Sequence, residues 1–393
     1  MPGLLPDIDP DGLLEFSVVY TDRALNHMSK KFQRVMTDIG GVLKQVYAAP
    51  AAVVVPGSGS YGMEAVARQF ATGAKTLVIR NGWFSYRWTQ IFEMGRIPAT
   101  QTVLKARAVS AGRQAAFAPA PIDEVVATIA AQRPDMVFAA HVETAAGMIL
   151  PDDYLRAVAD ATHASGGLLV LDCIASGAAW VDMRATGVDV LISAPQKGWS
   201  GSPCCAFVML SERALKAIET TTSTSFACDL KKWLQIMQAY ENGGHAYHTT
   251  LPTDALTRTR DVMLESQAYG FERLRDEQWA LGRKVRTALA GRGFRSVAAD
   301  GFQAPGVVVS YTDDAGLHSG KSFLGEGLQS AAGVPLQCDE PADFKTFRLG
   351  LFGLEKLHHV DRTVAHLEGA LDRIAAASAR ASAPASAPQQ AAA

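Results

Sequence analysis

At 393 residues, with 19% charged residues and a formal net charge of −2, the chain is long enough for two domains and carries no electrostatic footprint for nucleic acid or an anionic membrane. No stretch approaches the ~20 apolar residues of a membrane span, and the acidic, Pro/Gly-punctuated start MPGLLPDIDPDG lacks the basic region of a signal peptide. The five cysteines (Cys173, Cys204, Cys205, Cys228 and Cys338) are odd in number and form no C-x-x-C pair, which argues against a disulfide framework or a zinc site and fits a reducing cytoplasm.

From about residue 30 to 210, short β-branched runs alternate with longer helical patterns. Strands are predicted at 52–55, 76–79, 136–139, 168–171, 188–192 and 206–210. Nearly continuous apolar runs of this length suit strands covered on both faces, as in a mostly parallel sheet. Helices are predicted at 63–70, 122–132, 152–165 and 230–241, then in a long run over 253–292. Beyond it the rhythm changes to short strands (294–297, 306–311, 346–350) around helices near 320–331 and 357–377. The pattern predicts an α/β fold. An N-terminal arm (1–21) would precede a large domain (22–252) with a mostly parallel central sheet. A smaller C-terminal α+β domain (253–374) would follow, with the long helical run as its bridge. The Ala/Ser/Pro-rich tail, 375–393, lacks large apolar residues and is expected to be disordered.

Chemistry gathers at the predicted strand ends. Asp172 ends the run GLLVL, and Lys197 follows the run VDVLI in SAPQKGWSG. The carboxyl ends of buried strands are where open α/β sheets place their ligands. A lysine there is more often solvated or ion-paired; in a dry pocket its pKa falls and it becomes a nucleophile or base. An acid placed to pair a ring nitrogen and a lysine placed to form a Schiff base are what pyridoxal 5'-phosphate (PLP) requires.

The segment VVVPGSGSYGMEAVARQF reads as strand, Gly/Ser turn and helix, with Gly57, Gly59 and Gly62 permitting close backbone approach. Ser58 and Ser60 add hydroxyls at the positive end of the helix, in the manner of a phosphate cradle. Glycine-rich turns are common, so the spacing alone does not separate phosphate binding from an ordinary turn. No Lys-Ser/Thr follows, as a Walker A motif would need. The aromatics of RNGWFSYRW (Trp83, Phe84, Tyr86, Trp88) are core residues by default, or a stacking surface given their place after a strand. HVETAAG brings His141, Glu143 and Thr144 to a third strand end.

In these segments (PGSGSYGMEA, RNGWFSYRW, HVETAAG, LVLDCIAS and SAPQKGWSGSPC) and in their order, the chain resembles the fold-type I PLP enzymes of aminotransferase class V, nearest the alanine/serine–glyoxylate (serine–pyruvate) aminotransferases. The resemblance spans about residues 50–370. It implies that Lys197 carries the cofactor aldehyde and that Asp172 faces the pyridine nitrogen. Phe84 would cover one ring face, Ser58, Gly59, Ser60 and Gln196 would hold the phosphate, and Thr144 would contact the ring hydroxyl region. Tyr247 and Thr250 in HAYHTTLPT match residues that reach the phosphate across a dimer interface. Arg348 in FKTFRLGLFG matches the arginine that grips the substrate carboxylate, a task suited to a planar guanidinium. The implied activity is transfer of an amino group from a small amino acid of alanine or serine type to glyoxylate or pyruvate in a cytoplasmic homodimer. The chain departs from the family at its start: LLPDIDPDGLLEFSVVYTDRALNH stands where a Pro-Gly-Pro turn is usual, while NHMSKKF is expected to correspond to the histidine-containing segment that follows that turn in the family. The alternative on the same fold is a lyase or cysteine desulfurase with Cys338 accepting sulfur. Against it, Phe84 and Gln196 stand where desulfurases carry histidines.

Overall fold

The computed structural model describes residues 5–382. Its first long helix, α1 (Lys30–Val46), begins where Ser29 Oγ accepts a hydrogen bond from the Phe32 N–H at 3.0 Å. Phe32, Val35, Met36, Ile39 and Leu43 recur at the three-to-four spacing that buries one helix face. This helix lies outside the sequence-based expectations, since its polar start, SKKFQR, obscures the apolar stripe.

Among the described residues, seven strands form the central sheet. They are β1 (Ala51–Pro56), β2 (Lys75–Arg80), β3 (Thr100–Lys105), β4 (Met136–Ala140), β5 (Leu168–Asp172), β6 (Val190–Ser193) and β7 (Cys205–Leu210). Their spatial order is β1-β7-β6-β5-β4-β2-β3. Neighbours pair in parallel except at β7, which runs against both β1 and β6. The six predicted runs each found a strand. The edge strand β3 was not anticipated: TQTVLK has only two apolar residues, Val103 and Leu104, and is only partly covered.

Helices α2 (Gly59–Phe70), α3 (Trp83–Gly95), α4 (Ile122–Gln132) and α5 (Asp152–Ala164) connect the parallel strands. Acidic residues in the first turns of α4 and α5 (Asp123 and Glu124; Asp152 and Asp153) complement the positive helix ends. The carboxyl ends of β1, β2, β4, β5 and β6 consequently open on one edge of the sheet.

After α6 (Leu230–Glu241), the long predicted run is two helices, α7 (Thr253–Tyr269) and α8 (Phe271–Ala290), broken at Gly270 with φ +106. Leu256 and Met263 of α7 join the core of the large sheet, whereas Leu274, Leu281, Val285 and Leu289 of α8 join a second core. That second core lies under β8 (Val307–Tyr311), β9 (Ala331–Ala332) and β10 (Thr346–Gly350), an antiparallel sheet in the order β8-β10-β9, with α9 (Val360–Ser382) packed on α8.

Three expectations need correction here. Segment 294–297 makes only an isolated bridge, Ser296 to Ser310, and the Phe294 N–H turns back to the Leu289 carbonyl at the end of α8 (3.1 Å) instead of joining a ladder. The helix near 320–331 is confined to Lys321–Gly325, flanked by glycines at φ +79 (Gly320) and φ +76 (Gly327). The first part of the tail, 375–382, continues α9, consistent with the high helix propensity of alanine. The rest of the tail, 383–393, lies outside the described residues. No helix among the described residues is long and apolar enough to cross a membrane.

Candidate active site

Parallel register sets Asp172 of β5 beside Ile192 of β6 on one side and Ala140 of β4 on the other. Its carboxylate is buried and, among the described residues, accepts one hydrogen bond, from the Ile174 N–H at 2.8 Å. Burial pushes its pKa up to about 6, although the Ile174 bond and the charges of Lys197 and Arg87 pull the other way. Lys197 follows β6 and is itself half-buried, with Nζ 5.8 Å from the ring centroids of Phe84 and Phe352. Burial lowers the amine's pKa; Asp172 opposes the shift, and Arg87 and Arg348 reinforce it. The buried site thus makes the amine easier to deprotonate than a solvated lysine.

The cradle forms where β1 gives way to α2. Gly57 has φ +120, and a Cβ there would lie 2.7 Å from the Tyr61 ring, so the turn needs glycine. Ser58 takes the N-cap position in extended geometry, yet its hydroxyl makes no capping bond. Ser60 Oγ accepts a hydrogen bond from Arg87 Nη1 at 3.0 Å. Ser58, Gly59, Ser60, Phe84, Thr144, Asp172, Gln196 and Lys197 all line one cavity. Thr144 Oγ1 is buried in it without a hydrogen-bond partner among the described residues. An orphaned hydroxyl, a nearly bare buried acid and a hydroxyl-rich helix start fit a planar, nitrogen-bearing ring with a phosphate at one end.

Glu143 and His141 reach the same edge but do not line the cavity; they hold what does. The buried Glu143 carboxylate accepts the N–H groups of Phe84 (3.2 Å), Ser85 (2.8 Å) and Ala145 (2.9 Å) and the Ser85 hydroxyl (2.8 Å). It caps α3 and so aims Phe84. Gly82 permits that approach, since a Cβ there would meet Glu143 Cδ at 2.7 Å. His141 donates its backbone N–H to the Asp172 carbonyl at 2.9 Å, and its Nδ1 lies 2.7 Å from Ser176 Oγ. Burial lowers its pKa to about 4, leaving the ring neutral near pH 7.

The three-stranded sheet contributes Arg348 from β10. Its Nε donates to the Ala332 carbonyl at 2.7 Å, and its guanidinium carbon lies 5.6 Å from the Phe84 ring centroid. Tyr247 and Thr250 do not join the cavity within the chain. They stand exposed, 3.2 Å apart through their hydroxyls, with Tyr247 packed 5.5 Å from His27 of the NHMSKKF segment. Cys338 is buried elsewhere, its Sγ 3.4 Å from the Arg80 carbonyl, and burial raises its pKa to about 12, which leaves it a poor nucleophile. Sequence reasoning missed Phe352 and Arg87. Arg87 was detectable: once RNGWFSYRW is read as a helix start, it falls one turn after Phe84 on the same face.

No protein-family model matches the chain. It is 28% identical over 331 residues to a 2-aminoethylphosphonate–pyruvate transaminase of Burkholderia ambifaria, covering 84% of each chain. It is 26% identical over 349 residues to an L-aspartate–glyoxylate aminotransferase of Paracoccus denitrificans, covering 84% of this chain and 81% of that one. The crystal structure of an alanine–glyoxylate aminotransferase from Nostoc sp. matches with a TM-score of 0.74 at 20% identity, over 89% of this chain and 88% of that one. The fold is therefore the fold-type I architecture of PLP-dependent aminotransferases. Within it, the resemblance to pyruvate- and glyoxylate-using class V enzymes expected from the sequence stands.

Proposed function

We propose that the chain is a PLP-dependent aminotransferase that moves an amino group from a small amino acid to pyruvate or glyoxylate by ping-pong exchange. The observation that carries this reading is the pairing of a buried, nearly bare Asp172 with a lysine of lowered pKa in one cavity. The cofactor supplies an aldehyde that condenses with amines and a ring that takes up the electron pair left when the substrate Cα–H bond breaks. In this reading Asp172 holds the proton on the ring nitrogen, Phe84 covers a ring face and Thr144 satisfies the ring hydroxyl. Ser58, Gly59, Ser60 and Gln196 cradle the phosphate. Lys197 takes the proton from Cα and hands it on, a role worth ~10²–10⁴-fold in rate. Arg348 grips the acidic group of the donor, a carboxylate or, as the Burkholderia relative suggests, a phosphonate.

The reading extends to a homodimer in which Tyr247 and Thr250 of each copy reach the other's phosphate. Its support is their exposure, together with the exposed apolar run Leu13, Leu14, Phe16 and Val18 of the N-terminal arm. A cytoplasmic setting agrees with five free, buried cysteines.

The test is a half-reaction. PLP-loaded protein receives alanine, serine, aspartate or 2-aminoethylphosphonate singly, and absorbance follows conversion to the amine form of the cofactor. Pyruvate or glyoxylate should then restore the starting spectrum. Sulfide release from cysteine with no conversion by any donor would favour the lyase reading instead.

A further inference from the structure

The residues assigned above to the phosphate, Ser58, Gly59, Ser60, Gln196, Tyr247 and Thr250, all lack formal charge. A phosphate monoester near neutral pH carries about −1.5 to −2. The helix end offsets roughly half a charge, and an anion drawn from water is costly without a charged partner. Among the described residues, two side-chain cations line the cavity, Lys197 and Arg87, and the proposed function commits Lys197 to the aldehyde end.

Arg87 stands at the other end. Its Nη1 lies 3.0 Å from Ser60 Oγ in the cradle, and its guanidinium carbon lies 5.2 Å from the Phe84 ring centroid. Both residues sit on α3, whose start is pinned by Glu143, so guanidinium and ring are presented as one unit. Arg348 lies 5.6 Å from the same ring. Two guanidinium groups thus flank one aromatic, a division of labour between the phosphate and the substrate's acid group.

We propose that Arg87 is the cationic partner of the PLP phosphate, supplied from within the same subunit and independent of the residues a second copy brings. Ser60 can rotate to donate to a phosphate oxygen while Arg87 donates its remaining N–H groups to the same anion.

This inference rests on the cavity being a PLP site, and the experiment separates the two. PLP and its phosphate-free analogue pyridoxal are titrated into the full-length cofactor-stripped wild type, R87A and R87K, with binding followed by absorbance. For R87A we expect about 10–100-fold weaker PLP binding and unchanged pyridoxal binding, with R87K recovering part of the loss. Equal PLP affinity in R87A and wild type would overturn the assignment while leaving the cofactor reading intact. An equal loss for both ligands would overturn it too, by making Arg87 merely structural. A wild type that binds neither ligand would remove the cofactor reading itself.

Discussion

Strands β5 and β6 carry two buried aspartates at opposite ends, and the chain treats them differently. Asp189, 1% exposed, enters β6 with both oxygens engaged: Oδ2 lies 2.8 Å from His163 Nε2 and accepts the Leu169 N–H at 2.9 Å, while Oδ1 accepts the Ser211 hydroxyl at 3.1 Å. Asp172, 7% exposed, leaves β5 with a single backbone donor. A buried carboxylate normally collects partners because an unsatisfied one is costly. The acid at the amino end is therefore a structural clamp, and the one at the carboxyl end keeps spare acceptor capacity beside the cavity, as its proposed cofactor role needs. Lys197 and the orphaned Thr144 hydroxyl line the same cavity.

Substitutions can break the contrast in a graded order. The largest effect belongs to Lys197→Ala, which should cut steady-state transamination by about 10⁴-fold or more, since in the proposed function it removes both the cofactor's attachment point and the proton carrier. Retained turnover in the purified variant would refute the lysine's role. Asp172→Ala should lower kcat by about 10²–10³-fold while the protein still takes up PLP; a wild-type rate would show that this acid does not face the ring. Asp189→Ala should behave inversely. We expect a loss of about 2–4 kcal/mol in urea unfolding, from the stranded His163, Leu169 and Ser211 groups, with kcat per folded molecule little changed. A kcat loss matching that of Asp172→Ala would erase the distinction between the two ends.

The smallest effect is one of pH. In cofactor-free protein the Asp172 pKa is raised from 3.8 to about 6, so the folded chain keeps a proton that the unfolded chain has released. Its contribution to stability is full below about pH 4 and is lost as pH rises through about 6. At about 1.4 kcal/mol per unit, the change amounts to at most about 3 kcal/mol. Unfolding of cofactor-free wild type and Asp172→Asn at pH 4.5 and 7 should show the variant gaining on wild type at the higher pH. Parallel behaviour at both values would mean that the carboxylate is better solvated than its surroundings imply.

Much of the site was legible because its parts are local. Ser58, Gly59 and Ser60 are adjacent, Asp172 and Lys197 each follow an apolar run, and Thr144 lies four residues beyond a third. Strand ends that share an edge are implied by a parallel sheet. Glu143 was legible as a position but not as a cap on α3, because its partners lie near residue 84 and no spacing rule links them. Arg87 was hidden for want of a helix assignment over 83–95, and β3 because an edge strand lacks the doubly buried apolar run.

The sequence by itself determined the α/β rhythm, the chemistry of the strand ends and the likeness to class V aminotransferases, since each depends on residues close in the chain or on local periodicity. The tertiary structure decided which polar groups go without partners, that Arg348 and Arg87 flank one aromatic ring, and that Tyr247 and Thr250 stand apart from their own chain's cavity. Burial and satisfaction are properties of neighbours brought from far along the chain, and only the packed fold supplies those neighbours.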